Sequence, residues 1–538
     1  MFLKISRSRG HSYLQIVRSY REGKSVKHKV LANLGRFDVL AHNPQLISLG
    51  KRFLHLANIN SVNVDAIEEK QRLCYGHIVY RRLWKRFKMP ELLKYISRKK
   101  MVKFDFAESV YLMAIDRLLS PGSKRKTYQK QNRYARLYGE VSLNHIYRSL
   151  DILAEGKEHL EDALFERHKD LFNSRVDVVF YDVTTFHFES VRADELRKFG
   201  FSKAGKFNEV QVVLGLLTDE HGRPIGFDLF PGDIYEGKTL IEALNKLKNR
   251  FHIRRVIIVG DKAMSNKANL WLIEKAGYEY IVSVRIKGAK LPLKEAILNP
   301  QGYHNLKDAF RYKVLSNYEQ EVKDAKGRRR KIKTTIICTW SKERAEKDRA
   351  DRERMLEKAR AIPCGINLRD RRGYRRYLST NGGAIVTGID NAQFEADALW
   401  DGYYAIQTNS ERLNPQEILC AYHGLWKIEE SFRVIKSTME ARPIFHWTPK
   451  RILGHFVLCF IAFLLERTLE QELRKKGIEA SPERIKEALN SLEVSRLQIE
   501  DAEYYLKGRA EALANKILRA MRIAPLKNIT PPEDFKIC

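Results

Sequence analysis

The run Val256-Ile257-Ile258-Val259, closed by Gly260-Asp261, constrains the fold of this chain more than any other feature. Consecutive apolar, β-branched residues with no polar alternation suit a short strand covered on both faces. Such a strand needs layers above and below it, which points to a mixed α/β core. The neighbouring sequence agrees. Val176–Tyr181 is a second apolar run, and Val210–Leu217 and Ile225–Phe230 follow it, separated by the turn-like Thr218-Asp219-Glu220-His221-Gly222. Residues 238–249 suit a helix. Ser265 is a candidate N-cap for a helix ending near Gly277, and Tyr280–Val284 is a fifth strand. The order is βββαβαβ.

Two of these strands end on an aspartate. Asp182 follows Tyr181, and Asp261 follows Gly260. A carboxylate at the end of a buried strand is costly unless it meets water, a cation or a donor. If the two strands are neighbours, their like charges raise each other's pKa unless a divalent cation neutralises them. Hard oxygen ligands suit Mg²⁺ or Mn²⁺. The plainer alternative is a turn aspartate capping the next helix.

A third acid lies on a helix-patterned stretch from Ala421 to Lys436. Leu425, Ile428, Phe432 and Ile435 form an apolar stripe. Tyr422, Glu429 and Lys436 are seven apart, so one continuous helix would put them on one face, with Arg433 one turn after Glu429. That row can present one metal ligand and several phosphate-binding cations. It can equally be a surface pair, Glu429 with Arg433. Glu430 is a rival ligand about 100° further round. Trp426 suits either base stacking or the core.

The flanks differ in pattern. Residues 12–35 read as a β-hairpin turning at Glu22-Gly23-Lys24, with Arg and Lys on its exposed faces. Residues 65–172 read as helical. Within them, residues 98–136 hold eleven Lys/Arg against three Asp/Glu, with Tyr128 and Tyr134 interleaved and Tyr138 just beyond, which suits phosphate contact. Lys124, Arg125 and Lys126 are its candidate DNA-binding residues. Between about 290 and 405 the α/β pattern lapses. Short strands (Phe310–Leu315, Thr334–Trp340, Ala384–Thr387), a charged helix (Glu343 to Arg360) and basic runs (Lys326–Lys333, Arg369–Arg376) read as an inserted β-rich module. Arg328, Arg329 and Arg330 are its candidate DNA contacts. Helices resume near 414, and Ser481-Pro482 is a helix start.

These readings divide the chain into 1–60 (N-terminal β-hairpin region), 61–173 (basic helical DNA-binding region), 174–289 (first part of the core), 290–405 (β-rich insertion), 406–470 (second part of the core) and 471–538 (C-terminal helical region). The length of 538 residues is too great for one hydrophobic core. The formal charge of +32 points to a polyanion, above all nucleic acid. Six scattered cysteines, none at CxxC spacing, exclude a disulfide framework and fit a reducing compartment. The N-terminus lacks a signal-peptide pattern, and Phe456 to Leu465 is about half the length of a membrane span. A soluble protein with no membrane partner is expected.

These residues carry a resemblance. The chain resembles DDE transposases of bacterial insertion sequences, nearest to insertion sequence family four and its subgroup sixteen thirty-four. That family has a Y-(2)-R-(3)-E-(6)-K signature. Tyr422, Glu429 and Lys436 match it. Leu425 stands where the signature has arginine, and Arg433 is the candidate for the missing charge. Further blocks are similar to the family's. They are Gly200-Phe201-Ser202-Lys203, Gln211 to Leu216, Phe230 to Thr239, Asp401-Gly402-Tyr403 with Thr408-Asn409, and Arg442 to His446. Lys262 stands where many relatives have arginine.

The resemblance implies an RNase H-like mixed-sheet catalytic core with a β-rich insertion before the last catalytic helix. It makes Asp182, Asp261 and Glu429 the catalytic and metal-binding D, D and E. It implies two Mg²⁺ ions, with Mn²⁺ as a substitute, about 3.5–4 Å apart across a scissile phosphate. Tyr422, Arg433 and Lys436 would position DNA phosphates. The implied partners are double-stranded DNA, both element ends and target, and a second copy of the chain in a synaptic dimer. The implied compartment is the prokaryotic cytoplasm, at the nucleoid. Relatives often free the element through a DNA hairpin. Two other readings use the same residues: a non-catalytic DNA-binding protein derived from a transposase, and an RNA-processing nuclease on the same core.

Overall fold

The computed structural model describes the chain except for residues 9, 24, 41–47, 51, 55–66, 136–140, 173–177, 190–191, 201–207, 220, 234–249, 251–256, 261–266, 308, 324–326, 369, 371, 382–383, 425, 442–443, 500–501 and 536–538, and the side chains of 168–172, 178–179, 182–183, 307, 323 and 426–429. The helix expected over 238–249, the cap at Ser265 and the basic residues Lys326 and Arg369 therefore lie outside the described residues. The chain forms two compact units. One comprises Met1–Arg72, Val494–Lys507 and Leu526–Lys536, and the other comprises Leu73–Glu493, Gly508–Pro525 and Ile537–Cys538.

In the first unit, the expected hairpin is β2 (His11–Glu22) with β3 (Ser25–Arg36). β1 (Phe2–Ser8) adds to it antiparallel, from Phe2↔Val17 to Ser8↔His11. A further strand, β4 (Ile67–Cys74), lies where the sequence reads as helical. Its polar run, Glu68 to Arg72, carries no helical apolar stripe, and tertiary pairing decides its state.

The second unit is built on one mixed sheet. Its strands in chain order are β5 (Val178–His187), β6 (Gln211–Asp219), β7 (Pro224–Pro231), β8 (Ile257–Gly260), β9 (Glu279–Ser283), β10 (His304–Lys307), β11 (Phe310–Lys323), β12 (Arg329–Ser341) and β15 (Tyr403–Thr408), with β13 (Leu378–Thr380) and β14 (Val386–Ile389) forming a separate pair. The order across the nine-stranded sheet is β10-β11-β12-β15-β9-β8-β5-β6-β7. β5, β8 and β9 are parallel neighbours, and the other pairings are antiparallel. The β6–β7 turn forms as its residues predict. Asp219 Oδ1 accepts from the His221 and Arg223 amides, both at 2.9 Å.

The apolar run through Val259 is a strand buried along its whole length, as its composition demands. It is covered on one side by the helix Lys267–Lys275, which ends at Gly277 (φ +75°) as expected. Tyr181, Ile258, Leu270, Ile273 and Tyr280 form the core there.

The strands of the region 290–405, read as a β-rich insertion, join the core sheet. β10, β11 and β12 extend the core sheet, joined to it through β15 and β9. A lone hairpin is marginal in water, and docking on an existing edge buries Ile336, Cys338 and Ala405 with Leu293 and Ile297. Only β13 and β14, with the helix Lys342–Arg360, close a cluster of their own around Tyr377 and Leu378.

Before the sheet come the helices Ile78–Arg86, Met89–Ser97, Phe106–Leu119, Lys124–Lys130, Leu143–Glu155 and Lys157–Phe172. Several pack on Pro449–Arg474, a 26-residue helix that contains the apolar run from Phe456. By length and composition this helix suffices to cross a membrane, which the ten-residue reading of its apolar run had missed. Here 94% of its most apolar stretch is buried inside the protein. After it, Ser481 Oγ accepts from the Arg484 amide at 3.3 Å and starts the helix Pro482–Asn490 as predicted. The C-terminal region is not wholly helical. β16 (Glu493–Ile499), β17 (Ala502–Lys507) and β18 (Ile529–Thr530) form a four-stranded sheet with β4, in the order β18-β17-β16-β4. Its outer residues are half-exposed and polar, so they leave little hydrophobic alternation to read.

Candidate active site on strand β5

Successive residues of a strand alternate between faces. On β5 the odd-numbered Tyr181 enters the core under the helix Lys267–Lys275. The even-numbered residues face the other layer. Phe186 meets Phe456 edge-on, with ring centroids 5.0 Å apart. Phe180 meets Gly424, where an added Cβ would lie 2.7 Å from Phe180 Cζ. Only glycine lets the chain pass so close at that point. The backbone of Asp182 pairs with Leu216.

Two helices stand where the sequence reads as one. Tyr422 lies on the helix Pro415–His423, and Glu429 on a second helix, Trp426–Arg433. Lys436 sits in a π-helical turn, Val434–Thr438. That wide turn departs from α-helical spacing, and packing sets the position of Lys436. The Lys436 ammonium donates to Thr184 Oγ1 and lies 5.2 Å from the Phe186 ring centroid. Both anchors are on the even-numbered face of β5, and Thr184 is two residues from Asp182. The far end of the turn is held by Arg117, whose Nη1 donates to the carbonyls of Met439 (3.2 Å) and Glu440 (2.8 Å). Thr438 Oγ1 donates to Glu483.

Glu430 has a different surrounding. It lies between Arg433 Nη2 (3.7 Å) and Arg467 Nη2 (3.3 Å). Arg467 is buried, pairs with Glu470 at 2.8 Å and donates to Ser431 Oγ at 3.4 Å. Burial raises the Glu470 carboxyl. It also pushes Glu466 up to about 8, with the Glu470 charge adding to the effect. Tyr80 donates to Glu466 Oε2 at 2.5 Å. Glu430 is thus occupied by arginines, which weakens it as the rival ligand.

The expected site residues are distributed as follows. Asp261 lies outside the described residues, as do the side chains of Asp182, Trp426 and Glu429. The Tyr422 hydroxyl shares a hydrogen bond with that of Tyr404 on β15, whose ring also carries the Arg344 guanidinium 4.5 Å from its centroid. Arg433 is 67% exposed at its side chain. Arg125 and Lys126 are exposed, but Lys124 is buried, and burial together with the Arg117 charge pulls its ammonium down to about 7. Lys124 therefore does not belong to a DNA-facing surface. It starts the helix Lys124–Lys130 on the inward side, where the sequence shows only three consecutive cations. Arg328 and Arg329 are exposed, while Arg330 is half-buried, 5.6 Å from the Trp271 ring centroid. Thr184, Tyr404 and Arg467 were not singled out from sequence. The period-two alternation after Asp182 is the only local signal for Thr184. Among the described residues, no group of three or more His, Cys, Asp or Glu is placed to hold a metal.

The transposase DDE domain model matches residues 174–465, more than half of the chain. The chain belongs to the DDE transposase family. A second model, the N-terminal domain of IS1634 family transposases, matches residues 3–55 of this transposase and marks it as IS1634-type. A search of curated proteins finds no match. Among solved structures, the transposase is similar to the piggyBac transposase synaptic complex with hairpin DNA. The identity is 9% and the TM-score 0.36, over 78% of this chain and 82% of that one. It is also similar to the Mos1 transposase paired-end complex with the left transposon end, at 14% identity and a TM-score of 0.15, over 32% of this chain and 57% of that one. The Mos1 paired-end complex with Mg matches at 14% identity and a TM-score of 0.14, over 45% and 69%. Scores this low carry no weight for the fold, so the family assignment rests on the domain models alone.

Proposed function

We propose that this transposase binds the ends of its insertion sequence as double-stranded DNA, cleaves there, and joins the freed 3′-hydroxyl ends to target DNA. The observation that carries this reading is the Lys436–Thr184 contact. It ties the segment that follows Glu429 to the even-numbered face of β5, next to Asp182. The β5–β8 register supports it too. The interval from Val178 to Ile257, Val179 to Ile258 and Phe180 to Val259 is also the interval from Asp182 to Asp261 in the sequence.

On this reading 174–289 and 406–470 make an RNase H-like catalytic core, and Asp182, Asp261 and Glu429 are its acids. A cluster of carboxylates fits a hard divalent cation, Mg²⁺ or Mn²⁺, because like charges held close otherwise raise each other's pKa. Bound there, such ions would neutralise the scissile phosphate and lower the pKa of the attacking water. Lys436, Arg433 and Tyr422 position phosphates, Tyr422 through an orientation set by Tyr404. Positioning and charge neutralisation carry most of phosphoryl transfer. Arg125, Lys126, Arg328 and Arg329 add phosphate contacts. Cutting at two ends calls for two copies of the chain, acting at the prokaryotic nucleoid.

The test is cleavage of supercoiled DNA carrying the element's own ends, with Mg²⁺ and with EDTA, for wild type, Asp182→Ala and Glu429→Gln. Cutting that needs metal and both acids is expected. Binding without cutting, in Mg²⁺ and Mn²⁺ alike, would overturn the reading in favour of a repurposed DNA-binding protein.

A further inference from the structure

β2 and β3 continue past the strand that supports them. The last β1 pair is Phe2↔Val17, and beyond it Arg18–Glu22 pairs only with Ser25–Lys29. The result is a two-stranded ribbon, closed at Gly23 (φ +63°). Every residue of Arg18–Glu22 and Ser25–Lys29 is exposed, on both faces. An isolated pair of strands is marginal in water.

Residues paired across an antiparallel ladder share a face. One ribbon face therefore carries Arg18 opposite Lys29 and Tyr20 opposite Lys27. The other carries Ser19 opposite His28, which are hydrogen-bonded at 3.2 Å, and Arg21 opposite Val26. Lys27 pairs with Glu22. Among the described residues, no ion pair involves Arg18 or Lys29. Like charges directly opposed on a strand pair are destabilising, so this face is arranged for an anion that covers it. At the base of the ribbon the register steps from Val17↔Val30 to Ile16↔Ala32. Leu31 is left as a bulge, which bends and twists a ribbon.

We propose that this ribbon enters the major groove of the element's terminal DNA, with the Arg18/Tyr20/Lys27/Lys29 face toward the base edges. The proposal rests on the transposase reading above and deepens it by assigning end recognition to one face of one ribbon. Dimensions and charge support it. The five pairs extend about 17 Å at about 3.3 Å per residue. The major groove, about 12 Å wide, admits a two-stranded ribbon, whereas the minor groove, about 6 Å wide, does not. Arg and Lys are the side chains that read guanine O6 and N7 there.

The experiment uses the full-length protein and fluorescence anisotropy. It compares a duplex of the element's own end with a scrambled duplex of equal length and composition. A third duplex is the end with guanine replaced by 7-deazaguanine, which removes a major-groove acceptor. Wild type should prefer the end, and 7-deazaguanine should weaken that binding. Arg18→Gln/Lys29→Gln, on fully exposed positions, should lose about tenfold or more for the end duplex and little for the scrambled one. The variant should also lose the sensitivity to 7-deazaguanine. An unchanged end-to-scrambled ratio in the variant would overturn the proposal. So would wild-type binding that ignores 7-deazaguanine but yields to a minor-groove ligand. If those outcomes came with metal-dependent cutting that still requires Asp182, the ribbon assignment would fall and the transposase reading would stand. Absence of any preference for the end in wild type would overturn end recognition itself.

Discussion

Lys436 and Thr184 join two segments 252 residues apart in the chain, with the ammonium donating to the threonine hydroxyl on β5. This contact, with the approach of the same ammonium to the Phe186 ring, links the turn after the Glu429 helix to the strand of Asp182. Lys436→Met should lower single-turnover cleavage by about 100-fold, because small misplacements of a catalytic group cost that much. End-DNA affinity should change by less than severalfold. Thr184→Val should reproduce part of the loss. Full cleavage by both variants would show that the contact does not position the helix.

Glu430 and Glu429 should separate in function. Glu430 is held between two arginines, so Glu430→Gln should keep metal-dependent cleavage within about tenfold, while Glu429→Gln should abolish it. Arg467→Met removes the buried partner of both Glu430 and Glu470 and should destabilise the fold by about 3–5 kcal/mol in denaturant titration. Loss of cleavage in Glu430→Gln without loss of stability would reassign the ligand.

Stability should carry a histidine signature in acid. Burial pulls His77 down to about 4 and His446 down to about 3, and His455 lies well below its ordinary value. Their rings stay neutral in the folded chain, whereas the unfolded chain takes up protons below about pH 6.5. The unfolded state then binds more protons, so each ring contributes a loss of about 1.4 kcal/mol per pH unit from pH 6.5 down to its folded pKa. The raised carboxyl of Glu466 works the other way over part of that window. Comparison with a variant isolates one ring. His446→Phe should flatten the fall of melting temperature between pH 6.5 and 5 relative to wild type, and parallel curves would refute the burial argument.

Lys124 should behave as a buried lysine and not as a DNA contact. Its folded pKa is about 7, against 10.5 when free. The unfolded state holds the extra proton between those values, so stability rises with pH across that window. Lys124→Met should flatten this rise and stabilise the chain at pH 7 by on the order of 2–4 kcal/mol. DNA affinity should stay unchanged, whereas Arg125→Ala with Lys126→Ala should weaken it and reduce its salt dependence. A Lys124→Met variant that binds DNA weakly but melts like wild type would restore Lys124 to the interface.

The pattern of local interactions was readable residue by residue. The wholly apolar run through Val259 could only be a covered strand. Asp219 and Gly222 wrote their own turn, and Ser481-Pro482 wrote a helix start, because capping and turn chemistry act within a few residues. The Tyr422, Glu429 and Lys436 spacing is visible for the same reason, whereas Asp182, read from the sequence as following its strand, lies inside β5. Tertiary structure alone decided the rest. It set Gly424 against Phe180, where there is no room for a Cβ. It brought Lys436 to Thr184 through a π turn, which spacing rules for an α-helix do not foresee. It joined β12 to β15, since an unpaired strand edge takes the nearest partner whatever its place in the chain. It buried Lys124 beside Arg117 while leaving Arg125 exposed. Burial and strand partnership are set by contacts that reach tens to hundreds of positions along the chain, such as Ile337 with Ile406 and Thr184 with Lys436, beyond the range of local capping and turn chemistry.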